Sequence, residues 1–253
     1  MNKLWMLVVV GAVCSSLAQA EVGIPAKGGW PEYLFIESVS REEAHDTATK
    51  IAQAIFAGRM VIFSQMSKLT DASIGDKGYT GDVFEKQWRA AIEHLLIDAS
   101  PNQQRIMEKV LWAGKQAIDN NQDRLNVQGV SWKHFLPAKW EREMGSLLNA
   151  RTGILTKQPA RNYRNPVNVP DPTERETLAR FIKPGFDGGP YGTFAQMGKQ
   201  EVYRYMEPIR LIPPCMGCHG KPQGEPDMLG FEKDGMDVGD VIGLMSVTIA
   251  VRD

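Results

Sequence analysis

Cysteine, histidine and excess charge are all scarce in this sequence: 253 residues carry 3 Cys, 4 His and a formal charge of −1. Three cysteines are too few to build a disulfide scaffold. With 29 Lys and Arg against 30 Asp and Glu, no basic excess exists to neutralise phosphates, which excludes nucleic acid as a partner held by charge. Beyond residue 20 no apolar run is long enough to span a bilayer, so no transmembrane segment is expected after loss of the leader. Internal repeats and low-complexity tracts are also missing. What is present is a 43% hydrophobic composition that can build a real core, in one large or two small domains of roughly 100–200 residues each.

Residues 1–20 read as a secretory signal peptide. Lys3 gives the positive start, Leu4 to Leu17 the apolar run, and Ala18-Gln19-Ala20 the small-residue cleavage site. Cys14 lies within the apolar run behind Val13, whereas a lipid anchor wants a small residue there, so Cys14 is read as leaving with the leader. The expected product, residues 21–253, is exported, in a bacterium to the periplasm. Its remaining cysteines are Cys215 and Cys218.

These two form Cys215-Met216-Gly217-Cys218-His219, a C-x-x-C-H pattern and the attachment signature of a c-type haem. Thiols three positions apart project from one turn of chain to add across two haem vinyl groups, and the next residue holds its imidazole under the iron. His219 is thus the expected proximal ligand, with its other ring nitrogen needing an acceptor, commonly a backbone carbonyl. Two other readings compete. A thiol–disulfide redox pair uses C-x-x-C but has no need of the histidine. Zinc would need four ligands, and the expected mature chain offers two thiolates and no second histidine pair.

The helical signals come first. Ser40 with Glu43 reads as a capping box, followed by apolar residues at helical spacing from Ala44 to Phe63, for a helix to about Leu69. Further helices are expected over 82–97, 102–118 and 137–148, and a short one over 172–182. Two strands, 193–197 and 201–210, flank a Gly-Lys-Gln turn, and a β-branched run over 241–251 reads as a buried strand. Helices over about 40–150 followed by loop and sheet over about 151–253 imply one α+β domain with an antiparallel sheet.

In this order the residues resemble the Tll0287-like (DUF3365) family of exported c-type haem proteins with a PAS-like fold. The resemblance is carried by Gly75-Asp76-Lys77-Gly78-Tyr79-Thr80, Trp132-Lys133 with Phe135-Leu136-Pro137-Ala138, Arg164-Asn165-Pro166 with Asn168 and Pro170-Asp171. It continues through Tyr203-Arg204-Tyr205 before Glu207-Pro208, the Cys215 to Gly220 motif and Gly243-Leu244-Met245-Ser246-Val247. It implies a sheet cradling one covalent haem, in stand-alone exported proteins or in the sensing parts of kinases and chemoreceptors. Relatives can offer a Cys thiolate to the far side of the iron; the expected mature chain has none left. Where the family usually has a small residue, often Gly, this chain has His134.

The sixth iron position decides between an electron carrier and a ligand-binding site. His134 is the first distal candidate, beside Trp132, Phe135 and Trp140; Met60, Met66, His45 and His94 are others, and an open position is the alternative. Arg161 and Arg164 are the expected partners of the haem propionates, since guanidinium binds carboxylate bidentately. The function expected is that of an exported monohaem cytochrome serving electron transfer or redox sensing with a partner protein; a non-enzymatic role is favoured over a haem enzyme such as a peroxidase, for which His134 would have to supply the distal acid/base group. A haem-based binder of a small ligand such as a diatomic gas is the alternative, and a thiol–disulfide oxidoreductase the remote one.

Overall fold

The computed structural model describes residues 34–252; the expected leader and Cys14 lie outside them. The helices are α1 (Ala44–Ser64), α2 (Met66–Leu69), α3 (Gly81–Ala91), α4 (Glu93–Ile97), α5 (Pro101–Asp119), α6 (Gln122–Leu125), α7 (Pro137–Thr152), α8 (Pro172–Phe181) and α9 (Met216–His219). The strands are β1 (Ser38–Ser40), β2 (Leu155–Lys157), β3 (Tyr191–Met197), β4 (Gln200–Arg210) and β5 (Val241–Arg252). Among the described residues no helix is long and apolar enough to cross a membrane.

The chain is α+β as expected, but its sheet is mixed rather than antiparallel. Strands order as β1-β5-β4-β3, with β1 parallel to β5 and the other pairs antiparallel; β2 pairs with β5 along the same edge as β1. Adjacent strands β3 and β4 are joined by a tight turn at Gly198 (φ +63°), which imposes the antiparallel pairing. Between β1 and β5 lies nearly the whole chain, so no turn dictates their relative direction.

Period-two alternation sorts β4 and β5 onto two faces. Tyr203, Tyr205, Val247, Ile249 and Val251 join the same buried cluster as Ala44, Ala48, Ile51 and Ile55 of α1. Met206 and Leu244 face the other way, packing with Leu178 and Phe181 of α8. Arg204 shares that second face, pairing with Asp171 at 2.6 Å and Glu174 at 3.6 Å. Covered on both sides, β5 is buried almost throughout, which explains its unbroken apolar run.

Behind α1, helices α3, α5 and α7 meet around Trp88 and Trp140, both fully buried. The rings cross edge-on at 5.2 Å, and Gly58 and Gly114 leave the space: a Cβ at Gly114 would overlap the Trp88 ring, and one at Gly58 the Trp140 ring. Each indole N–H donates to a helix carbonyl, Trp88 to Ala54 at 2.7 Å and Trp140 to Gly114 at 3.0 Å.

Helix starts follow local chemistry. Ser100 and Gln103 close a capping box on α5 with Pro101 at its first turn, and Asp171 with Glu174 does the same for α8. The Ser40 box forms only by half. Ser40 Oγ accepts the Glu43 N–H at 3.3 Å, while Glu43 turns its carboxylate to the Ser100 hydroxyl at 2.6 Å. Ser40 has been drawn into β1, and α1 therefore starts at Ala44.

Two of the segments that carry the family resemblance turn out to brace each other. Lys77 is 1% exposed and donates to the Asp71 and Ile74 carbonyls; Lys133, 7% exposed, donates to Leu125 at 2.8 Å and Leu69 at 3.4 Å. These ammonium groups satisfy carbonyls of the loop 70–80 and of the last residues of α2 and α6. Burial, with Lys77 nearby, pulls Lys133 down to about 8.

Candidate functional site

Strand β4 ends at Arg210, and Leu211 and Ile212 lead into a single 3₁₀ turn, Pro213–Cys215, that passes directly into α9. Proline at the head of the turn suits a position whose N–H has no helical partner. The loop after α9 folds back on the motif. Met236 N–H donates to the His219 carbonyl at 3.0 Å, Gly235 to Gly220 at 3.1 Å, and Leu211 to Asp240 at 2.9 Å, which closes the loop at its base.

This return brings Asp234 to His219. The imidazole Nδ1 lies 2.5 Å from Asp234 Oδ2, leaving Nε2 as the nitrogen available to a metal. Burial lowers the His219 pKa, and the opposing pull of Asp234 does not restore it, so the ring is neutral and ligand-ready at pH 7. Cys215 and Cys218 are both free thiols. Burial, together with the Asp227 carboxylate, pushes the Cys218 thiol upward, which holds it protonated.

Arg164 organises this corner. Its Nη1 donates to Asp227 Oδ2 at 2.6 Å; its Nη2 donates to the Cys218 and Glu232 carbonyls, both at 2.9 Å, and lies 3.6 Å from Asp234. The guanidinium also covers the Phe231 ring at 5.2 Å. Arg164 arrives on the segment 159–168, which is fixed to β5 by the Leu244 N–H donating to Pro159 at 2.9 Å. A Cβ at Gly243 would come within 2.6 Å of that same Pro159 carbonyl, so glycine is needed for the approach. Arg164, one of the two expected propionate partners, thus clamps the motif loop. Arg161 is exposed and lines an open cleft of about 590 Å³ with Lys183, Arg210 and Asp234.

Asp227 is shielded from solvent contact although it lies shallow. Burial raises its carboxyl, but the Leu229 N–H, Arg164 and the Phe231 N–H together outweigh that and hold it below the usual carboxylate range. A depressed folded-state pKa means stability that is present above the ordinary value of 3.8 and lost as pH falls below it. Arg164→Ala strands this carboxylate. The expected cost is roughly 2–3 kcal/mol, read as a lower urea midpoint at pH 7, with the deficit shrinking below pH 4 as Asp227 protonates. A deficit that does not change with pH would show that Arg164 acts through packing alone.

Among the described residues, none of the distal candidates hydrogen-bonds to the motif. His134 is exposed with a left-handed backbone (φ +53°), in a segment held by Arg124 and Lys133 and not bonded to the motif. That φ explains why a small residue, often Gly, suits the position. His45 pairs through Nδ1 with the Tyr203 hydroxyl at 2.8 Å, and His94 is exposed on α4. Met60 is half-buried on α1, and Met66 packs against the main core. Sequence reasoning missed Asp227 and Asp234. Their signal was the acidic, glycine-rich loop 225–240, which has no periodicity to single out a residue.

The family model for Tll0287-like proteins matches residues 37–250, which include every element of the core and the motif. The chain belongs to the Tll0287-like family. Among solved structures, the crystal structure of the cyanobacterial haem protein Tll0287 is similar at 21% identity and a TM-score of 0.40, over 60% of this chain and 97% of that one. No curated protein matches. Within this Tll0287-like chain, the resemblance residues therefore divide in two: Lys77 and Lys133 brace the helical end, while Arg164 and Cys215–Gly220 build the corner at the end of β4.

Proposed function

We propose that this Tll0287-like protein is an exported monohaem c-type cytochrome, with a PAS-like sheet cradling the group, that transfers electrons or senses redox state with a partner protein. The observation that carries the reading is the Cys215–His219 turn itself, with two free thiols and a neutral imidazole whose Nδ1 is already occupied by Asp234. The donor set suits the group: two thiols for thioether bonds and Nε2 for the iron. The family's namesake is itself a haem protein. Haem in such a site supplies reversible one-electron chemistry. Cys215 and Cys218 tether it, His219 ligates it, and Arg164 holds the Cys218 carbonyl so that the turn keeps its shape.

The thiol–disulfide alternative fares worse, because such a pair has no use for a histidine directly after its second cysteine, whereas His219 stands there with Nε2 free for a metal. A pyridine haemochrome spectrum, on protein matured with haem-attachment machinery, tests the proposal. One thioether-linked haem per chain is expected, with complete loss in the Cys215→Ala/Cys218→Ala double variant. Haem that washes out of the unaltered protein, or none at all, would sink it.

A second reading, binding of a small ligand at the iron, is favoured by the engagement of His45 with Tyr203 and the exposed setting of His134. Carbon monoxide added to the ferrous protein separates the two. Rapid binding to a high-spin form supports the ligand-binding reading; a spectrum unmoved by CO supports the carrier.

A further inference from the structure

We propose that Asp234 is a positioning residue of this site: it accepts a hydrogen bond from His219 Nδ1–H, makes the imidazole a stronger donor to the iron, and biases the haem toward the ferric state. The inference rests on the haem c reading.

The geometry is specific. Asp234 Oδ2 lies 2.5 Å from Nδ1, and the next two backbone amides, of Gly235 and Met236, donate to the Gly220 and His219 carbonyls. Two main-chain bonds therefore fix the carboxylate against the ring it serves. Asp234 is 10% exposed at its side chain, with Arg164 at 3.6 Å from Oδ2 and the Asn162 amide 3.5 Å from Oδ1. A neutral carbonyl could fix the tautomer equally well. A carboxylate adds a full negative charge, which strengthens the hydrogen bond from Nδ1–H, gives the ring more imidazolate character and raises the electron density at Nε2. The field around the ring adds to this. Asp227 and Asp234 oppose one cation, Arg164, leaving one net negative charge beside the site. Both effects stabilise the more positive oxidation state, so the reduction potential falls.

The test compares midpoint potentials of holoprotein by spectroelectrochemical titration. Asp234→Asn is expected to raise the potential, and Asp234→Glu to stay near the unaltered protein. Asp237→Asn is the control, since it removes an equal charge from an exposed aspartate paired with Lys221 and not bonded to His219. A rise in Asp234→Asn no larger than in Asp237→Asn overturns the proposal. A readout on the unaltered chain covers a variant that fails to mature: the ¹⁵N shift of His219 Nδ1 in the reduced protein is expected to move toward imidazolate, and an ordinary neutral-imidazole value overturns the proposal. Haem content by pyridine haemochrome, measured on the same samples, keeps the two claims apart. A thioether-linked haem with an unmoved potential defeats Asp234's role alone, and a missing haem defeats the functional reading.

Discussion

Trp140→Ala is expected to lower stability by about 4–5 kcal/mol. The indole is fully buried, with Trp88 at 5.2 Å and Phe84 at 5.3 Å, both edge-on. Truncating a buried tryptophan removes about 3–5 kcal/mol, transfer and cavity together. The bond to the Gly114 carbonyl adds about 1 kcal/mol. The site cannot easily collapse, because Gly58 and Gly114 already lack the side chains that would move into the hole. Urea denaturation followed by the fluorescence of the remaining tryptophans measures the loss. A shift under about 1 kcal/mol would mean that the helices close over the gap, and that the four-helix junction is not centred on this ring.

The second large effect lies one residue on. Glu141 is fully enclosed, Arg59 Nη1 stands 3.4 Å from Oε2, and neither carboxylate oxygen accepts a hydrogen bond from a described residue. The ion pair argues for a charged group and the enclosure for a neutral one. Burial wins, because the contact with Arg59 lacks hydrogen-bond geometry, and the carboxyl is pushed up to about 8. The folded state then binds a proton that the unfolded chain, at an ordinary 4.5, has released. Stability from this group is complete below about pH 4.5 and falls as pH rises toward 8, by about 5 kcal/mol in all. Glu141→Gln keeps the shape and removes the titration. Its stability is expected to stay flat over that window and to exceed the unaltered protein's at pH 8.5 by several kcal/mol. Parallel pH profiles for the two proteins would show Glu141 ionised and paired with Arg59.

Neither residue announces itself in the sequence. Trp140 and Glu141 stand side by side on α7, and a helical pattern assigns the glutamate to a solvent face; only the crossing of α1 over that position encloses it. Elements with strong local signals were legible: α5 behind Ser100-Pro101, the hairpin around Gly198, and β5 with its β-branched run. The three-residue strands β1 and β2 were not, since so few residues show no period, and the parallel pairing of β1 depends on contacts some 210 positions apart. The motif was legible to the residue because covalent chemistry fixes its spacing. Its acidic supports were not, because Asp227 and Asp234 are selected by where an irregular loop folds back on the motif and on Arg164 rather than by any repeat.

The parallel register of β1 against β5 places Ser38 beside Ala250 and Ser40 beside Arg252. Entry to and exit from the fold are therefore one structural event. Among the described residues β1 has no ladder partner but the last residues of β5, so fraying of β5 releases β1, with α1 immediately behind it. The arrangement also puts a direction on the molecule. Strand β5 ends beside β1, whereas the Cys215–His219 turn follows the far end of β4, which pairs with the opposite end of β5. A group joined to the end of β5 would therefore leave the sheet at the opposite end of that strand from the motif.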